Sequence, residues 1–179
     1  MNEIAQYAQR AVVPAVIAII TIATYTDCRW RLIKNILTVP AVALGLLLHF
    51  LGSGWPGLTF ALLGLAAGFG LMMIPFAFGQ MGGGDVKLMA ALGSFLGAYA
   101  IMNVFLYTTL AGGLVALGFA VYRKEGFNFL SRTWQLAKGL LIFQTLPLKE
   151  PQGEHAVTIP YGLAIAIGTL LYLILGNVV

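Results

Sequence analysis

From Asn35 to Gly84 the chain carries no Asp, Glu, Lys or Arg. That stretch is more than twice the ~20 apolar residues with which one helix crosses a bilayer. It sets the terms for the rest of the chain. Charged residues make up only 9% of the sequence and hydrophobic ones 60%, whereas a soluble domain covers itself with roughly 25% charged residues. A soluble globular enzyme, a disordered chain and a nucleic-acid binder are excluded, and an all-α, polytopic protein in contact with a lipid bilayer is expected. The net charge of +4 then reads as membrane topology rather than as a patch for polyanions. A lone cysteine, Cys28, excludes a disulfide framework and a multi-cysteine zinc site.

Charges and breakers divide the chain into six expected spans, near 8–26, 36–51, 58–79, 86–101, 104–122 and 159–177. The uncharged run is broken at Gly52-Ser-Gly-Trp-Pro-Gly57, and the stretch from Leu88 to Tyr122 turns near Gly97 to Asn103. Arg29, Arg31 and Lys34 lie between spans one and two, and Arg123, Lys124, Arg132, Lys138 and Lys149 between spans five and six. Alternation puts both segments and the Gly79–Asp85 connection on one side, whereas loops 52–57 and 97–103 carry no charge. Positive residues mark the cytoplasmic side, which leaves both termini outside. A cleavable signal peptide is the alternative for residues 1–26, but there the basic flank follows the apolar run and no small-x-small cleavage site is clear. In the cytoplasmic loop 123–155, Phe127, Leu130, Trp134, Ala137 and Leu141 fall near one helical face. They fit either an interfacial amphipathic helix or an ordinary connector anchored by Trp134.

Asp27 and Asp85 are the only aspartates, and each stands where a cytoplasmic segment meets a span. Ionisable groups at membrane depth are costly and usually face a bundle interior or a polar cavity. Bland roles exist for each: an interfacial pair with Arg31 for Asp27, and a helix N-cap for Asp85. Three glycines, Gly82, Gly83 and Gly84, precede Asp85. A plain connector does not need that much backbone freedom, whereas a close approach of chain segments or a mobile carboxylate does. Lys87 is about 200° round a helix from Asp85, which aims it at lipid phosphate or substrate instead. Facing carboxylates share a proton. The ionised one draws a proton from an attacking water while the protonated one polarises a peptide carbonyl. That chemistry needs no cofactor and no metal, and His49 and His155 are too far apart in sequence to make a metal site easily. A proton-coupled transporter using the same aspartates is the main rival, and an accessory subunit without chemistry a second. Gly64, Ala67, Gly68 and Gly112-Gly113 permit close helix approach, to each other or to a substrate helix.

The segment Gly82-Gly-Gly-Asp85-Val-Lys-Leu-Met-Ala-Ala-Leu-Gly93 resembles the Gly-x-Gly-Asp signature of the type IV prepilin peptidases. Asp27-Cys-Arg-Trp-Arg-Leu-Ile33-Lys-Asn35 is similar to the family's first aspartate motif, and Ile159-Pro160-Tyr161-Gly162 to its last-span Pro-Tyr-Gly signature. The presenilin-like proteases share the Gly-x-Gly-Asp turn, but their Pro-Ala-Leu signature is absent. The resemblance implies a six-span membrane aspartyl endopeptidase of the bacterial inner membrane. It makes Asp27 and Asp85 the catalytic pair, with Gly82, Gly83, Gly84, Asn35, Lys87, Pro160 and Tyr161 in support. A prepilin, cut after its leader on the cytoplasmic side, is the implied partner. The chain lacks the cysteine-rich cytoplasmic region of the long methylating members, so the resemblance points to the short branch that serves Flp-type pili, with cleavage and no methyl transfer. Lys34 stands where the family usually has proline, so the start of span two is expected to be more helical. Oligomeric state is not implied.

Overall fold

The computed structural model describes residues 3–77, 81–122 and 161–176, and among them every regular element is a helix. In chain order these are α1 (Glu3–Trp30), α2 (Asn35–Ala77), α3 (Gly83–Leu96), α4 (Ala98–Tyr122) and α5 (Tyr161–Leu175). The chain divides into two units, Met1–Ala111 with Pro160–Val179, and Gly112–Ile159. The second holds only the end of α4 among the described residues, so the packing and the site belong to the first. The loop 123–155, its amphipathic segment and Pro160 lie outside the described residues.

Two helices, Gln6–Trp30 and Asn35–Ala77, are long and apolar enough to cross a membrane, and within the structure only 28% and 22% of their most apolar windows are buried. A soluble protein's core helix would be mostly covered. Here Leu47, Leu63, Leu110 and Ile174 lie on the outside, as suits lipid.

Helix α2 has 43 residues but does not run straight. Gly54 takes φ 64, ψ −139, a conformation open to glycine. Beyond it the chain folds back: the rings of His49 and Phe60 stand 5.0 Å apart, whereas a straight helix would separate the two residues by about 16 Å. A Cβ on Gly57 would run into the carbonyl of His49. The element is thus a helical hairpin with limbs 35–53 and 55–77, and the break expected over 52–57 narrows to Gly54.

The turn expected between Gly97 and Asn103 falls at the first of these residues, so the two helices run 83–96 and 98–122 where 86–101 and 104–122 were expected. Gly97 has φ 83, its amide is bonded to Gly93 O at 2.8 Å, and α4 begins on the next residue. A side chain there would strike the ring of Phe60. The resulting α3 has 14 residues, about 21 Å of rise against a hydrocarbon core of ~30 Å. Leu88, Met89, Leu92 and Phe95 are fully buried, and α3 packs against both limbs of α2 as well as α1 and α5.

Since lipid tails are as apolar as leucine, packing, not hydrophobicity, holds such helices together. The contacts are correspondingly close. Cβ atoms on Gly64 or Gly68 would meet the backbone of Gly93 or Met89, and one on Gly45 would meet Ser94. Gly64 and Gly68 are therefore occupied by α3 and are not open to a substrate helix. Gly113 faces open space. At the same end as Gly54 and Gly97, His49 Nε2 donates to the Phe95 carbonyl at 2.8 Å, satisfying one of the carbonyls that a helix end leaves unpaired.

Candidate active site

The opposite end of the bundle gathers the end of α1, the start of α2, the start of α3 and the start of α5. Helix α1 stops when Arg31 N donates to Asp27 O at 2.8 Å, with Arg31 at φ 51. A left-handed residue just past a helix is normally glycine, and a side chain there costs ~1–2 kcal/mol. The turn sends the chain back so that Ile33 is buried against Gly84, where an added Cβ would stand 3.0 Å from Ile33 Cβ and 3.2 Å from its carbonyl oxygen. Lys34 then stays outside the helix. Its carbonyl receives Leu37 N at 3.0 Å, so α2 starts at Asn35, and its ammonium lies 5.1 Å from the centre of the Trp30 ring.

Both aspartates are held at helix N-termini. Asp85 is the third residue of α3, and its Oδ2 accepts from Gly82 N at 3.2 Å while its own amide donates to Gly82 O at 3.1 Å. It caps its helix from within, so the N-cap itself is Gly82 and not Asp85. Asp27 does this for another helix: its Oδ2 accepts from Gly162 N, in the first turn of α5, at 2.8 Å. The positive end of a helix dipole favours an anion at each place. Asp27 is 7% exposed and Asp85 8%, and the two carboxylates lie within electrostatic reach of each other. Neither has a basic partner among the described residues, so Asp27 makes no ion pair with Arg31. Among the described residues the remaining oxygen of each has no hydrogen-bond partner, and neither is sealed in as the hydroxyls of Thr24, Thr38 and Thr108 are.

The supporting positions divide. Lys87 Nζ donates to Asn35 Oδ1 at 2.8 Å, so these two exposed residues tie the start of α3 to the start of α2. Tyr161 is half-buried and within electrostatic reach of Asp85. Of the three glycines, only Gly84 is pressed against another segment: a Cβ on Gly83 would reach the Phe76 ring at an ordinary 3.7 Å, and Gly82 is exposed. Gly162 and Ile33 were missed as site residues, although both lie in the family-like motifs. A Cβ on Gly162 would stand 2.8 Å from Asp27 Oδ2, so the carboxylate can sit on that amide only because the residue is glycine. The signal available was a glycine opening an apolar span. Among the described residues no three His, Cys, Asp or Glu side chains come together, so a metal would find two carboxylates and no third such ligand.

Apolar outer surfaces and two buried carboxylates, unpaired among the described residues, at one end of the bundle define a helical membrane protein with an acidic site. The type IV leader peptidase family model matches residues 15–117, well over half of the chain, and the chain belongs to that family. A prepilin leader peptidase/N-methyltransferase of Aeromonas hydrophila is 37% identical over 109 residues, which cover 57% of this chain and 37% of that protein. The protein of the same name from Bacillus subtilis is 37% identical over 108 residues, covering 56% and 42%. That of Xanthomonas campestris pv. campestris is 30% identical over 158 residues, covering 84% and 45%. The match thus spans less than half the length of these relatives. No solved structure matches the chain.

Proposed function

We propose that this protein is an aspartyl endopeptidase of the bacterial inner membrane that removes the leader of type IV prepilins, those of the Flp type in particular, at the cytoplasmic membrane face. The observation that carries this reading is that Asp27 and Asp85, remote in sequence, come within electrostatic reach of each other, each held by one oxygen on a helix N-terminal amide and neither paired with a cation among the described residues. Two like charges within electrostatic reach of each other in buried surroundings do not both ionise readily, so the pair holds one proton. The ionised member takes a proton from water as it attacks the scissile carbonyl, and the protonated member gives its proton to the carbonyl oxygen. Family membership adds support to peptide hydrolysis and none to a proton-coupled transporter.

The substrate fits the place. A polar leader joined to an apolar helix sets its scissile bond at a membrane surface, and the carboxylates lie at an end of the bundle. Exposed Arg29, Arg31, Lys34 and Lys87 support a cytoplasmic side for that end, and the turns at Gly54 and Gly97, beside Trp55 and Tyr99, carry no charge. With α2 counted as two spans, the reading has six spans and both termini outside.

The test is cleavage of a purified prepilin in liposomes. Asp27→Asn and Asp85→Asn should each abolish the product while the protein accumulates normally, and EDTA should leave the wild type active. Normal cleavage by either variant would remove the dyad. A Flp-type and a longer type IV prepilin assayed side by side test the choice of substrate.

A further inference from the structure

We infer that Gly162 is a positioning residue whose main-chain amide makes Asp27 the ionised member of the pair and leaves the shared proton on Asp85. The inference rests on the hydrolytic reading above and adds the division of labour between the carboxylates. The two anchoring bonds are unequal. Gly162 N reaches Asp27 Oδ2 at 2.8 Å in buried surroundings, whereas Gly82 N reaches Asp85 Oδ2 at 3.2 Å, only partly buried and on an exposed glycine. A hydrogen bond to an ionised group gains strength as it shortens and as water is excluded. The proton therefore settles on the carboxyl whose anion is held less well, which is Asp85.

Among the described residues no other group reverses this order. On its own element Asp27 is followed by Cys28, Arg29 and Arg31, which are exposed and make no pair with it. Lys34 lies over the Trp30 ring and Lys87 is bonded to Asn35. From α3 and α5 the titratable neighbours are Asp85 itself and Tyr161, a group neutral at pH 7.

The reaction then balances. Water oxygen bonds to the carbonyl carbon, a water proton passes to the free oxygen of Asp27, and the Asp85 proton passes to the carbonyl oxygen, giving a neutral gem-diol. As the C–N bond breaks, Asp27 returns its proton to the amine nitrogen and a diol proton goes to Asp85. A carboxylic acid and an amine leave, and both aspartates regain their starting states.

Substitution separates the amide's roles. Gly162→Ala keeps the N–H but puts a Cβ 2.8 Å from Asp27 Oδ2, which forces the carboxylate off the amide. We expect kcat to fall at least tenfold with KM little changed, and the acid limb of the pH–rate profile to move up by about one pH unit, the scale of one charge-assisted hydrogen bond. A loss of rate with an unmoved acid limb would make Gly162 merely structural and overturn the inference. The wild type provides a second measurement should the variant not fold. With only two aspartates in the chain, [4-13C]aspartate labelling gives two carboxyl signals, assigned with Asp85→Asn. Asp27 must ionise at lower pH than Asp85, and the reverse order refutes the inference. That titration does not depend on substrate, so an enzyme that cleaves with the reverse order defeats this inference alone. A protein with the expected order that cleaves no prepilin defeats the functional reading instead.

Discussion

One substitution placed twice in the same helical limb should have opposite effects. Gly64 and Gly70 both lie in the second limb of α2. The first is buried against α3; the second is exposed, and a Cβ added to it would find nothing within 4 Å. Replacing Gly70 by Ala relieves the backbone entropy that glycine costs a helix, a gain of about 0.5–1 kcal/mol. At Gly64 the same gain meets an obstacle. The methyl would stand 2.7 Å from Gly97 Cα and 2.8 Å from Gly93 C, closer still to the Gly93 carbonyl oxygen. Carbon atoms prefer ~3.5–4.0 Å, so the helices must part by about 1 Å. The obstacle is backbone, which cannot rotate aside as a side chain would. Overpacking of this kind costs ~1–3 kcal/mol, so Gly64→Ala should be destabilised by ~1–2 kcal/mol net while Gly70→Ala is slightly stabilised. Thermal unfolding in detergent, followed by tryptophan fluorescence, reads the difference. Because α3 carries Asp85 at its start, prepilin cleavage by Gly64→Ala should also fall at temperatures where the protein is still folded. Equal stability of the two variants would refute the packing argument.

Other substitutions test the acidic end. Gly84→Ala should slow cleavage through its contact with Ile33, and Ile33→Ala in the same chain should recover part of the rate. Lys87→Ala and Asn35→Ala should be non-additive in unfolding experiments, with a coupling of ~0.5–1 kcal/mol for their exposed hydrogen bond. Additive losses would mean that the bond contributes nothing. Arg31→Gly should raise stability by about 1 kcal/mol by removing a side chain from the left-handed turn at φ 51. Cys28, exposed beside Asp27 and the only cysteine, should react with an impermeant maleimide in inverted vesicles and not in intact spheroplasts; the opposite pattern would place the acidic end outside.

The parts of this architecture that could be read in advance are those governed by local chemistry. Glycines at 54 and 97 mark where helices reverse, because only glycine reaches those angles without strain. Charges at Arg29, Arg31, Lys34 and Lys87 mark which helix ends lie together. From these follows the expectation that Asp27 and Asp85 share one end. The length of α3 could not be had in this way. A helix enclosed by other helices and a helix facing lipid use the same leucines and methionines, since both surroundings are apolar. Its apolar composition therefore reads as a full-length, lipid-facing span, whereas α3 is 14 residues long and enclosed by other helices. The grip of Gly162 on Asp27 was hidden for a different reason: the donor is a main-chain amide, which every residue but proline possesses, so the side-chain alphabet does not mark it. What marks it is the missing Cβ. A last-span glycine is easily taken for helix packing, as Gly64 is, until the carboxylate of another helix is found where a methyl group would have been.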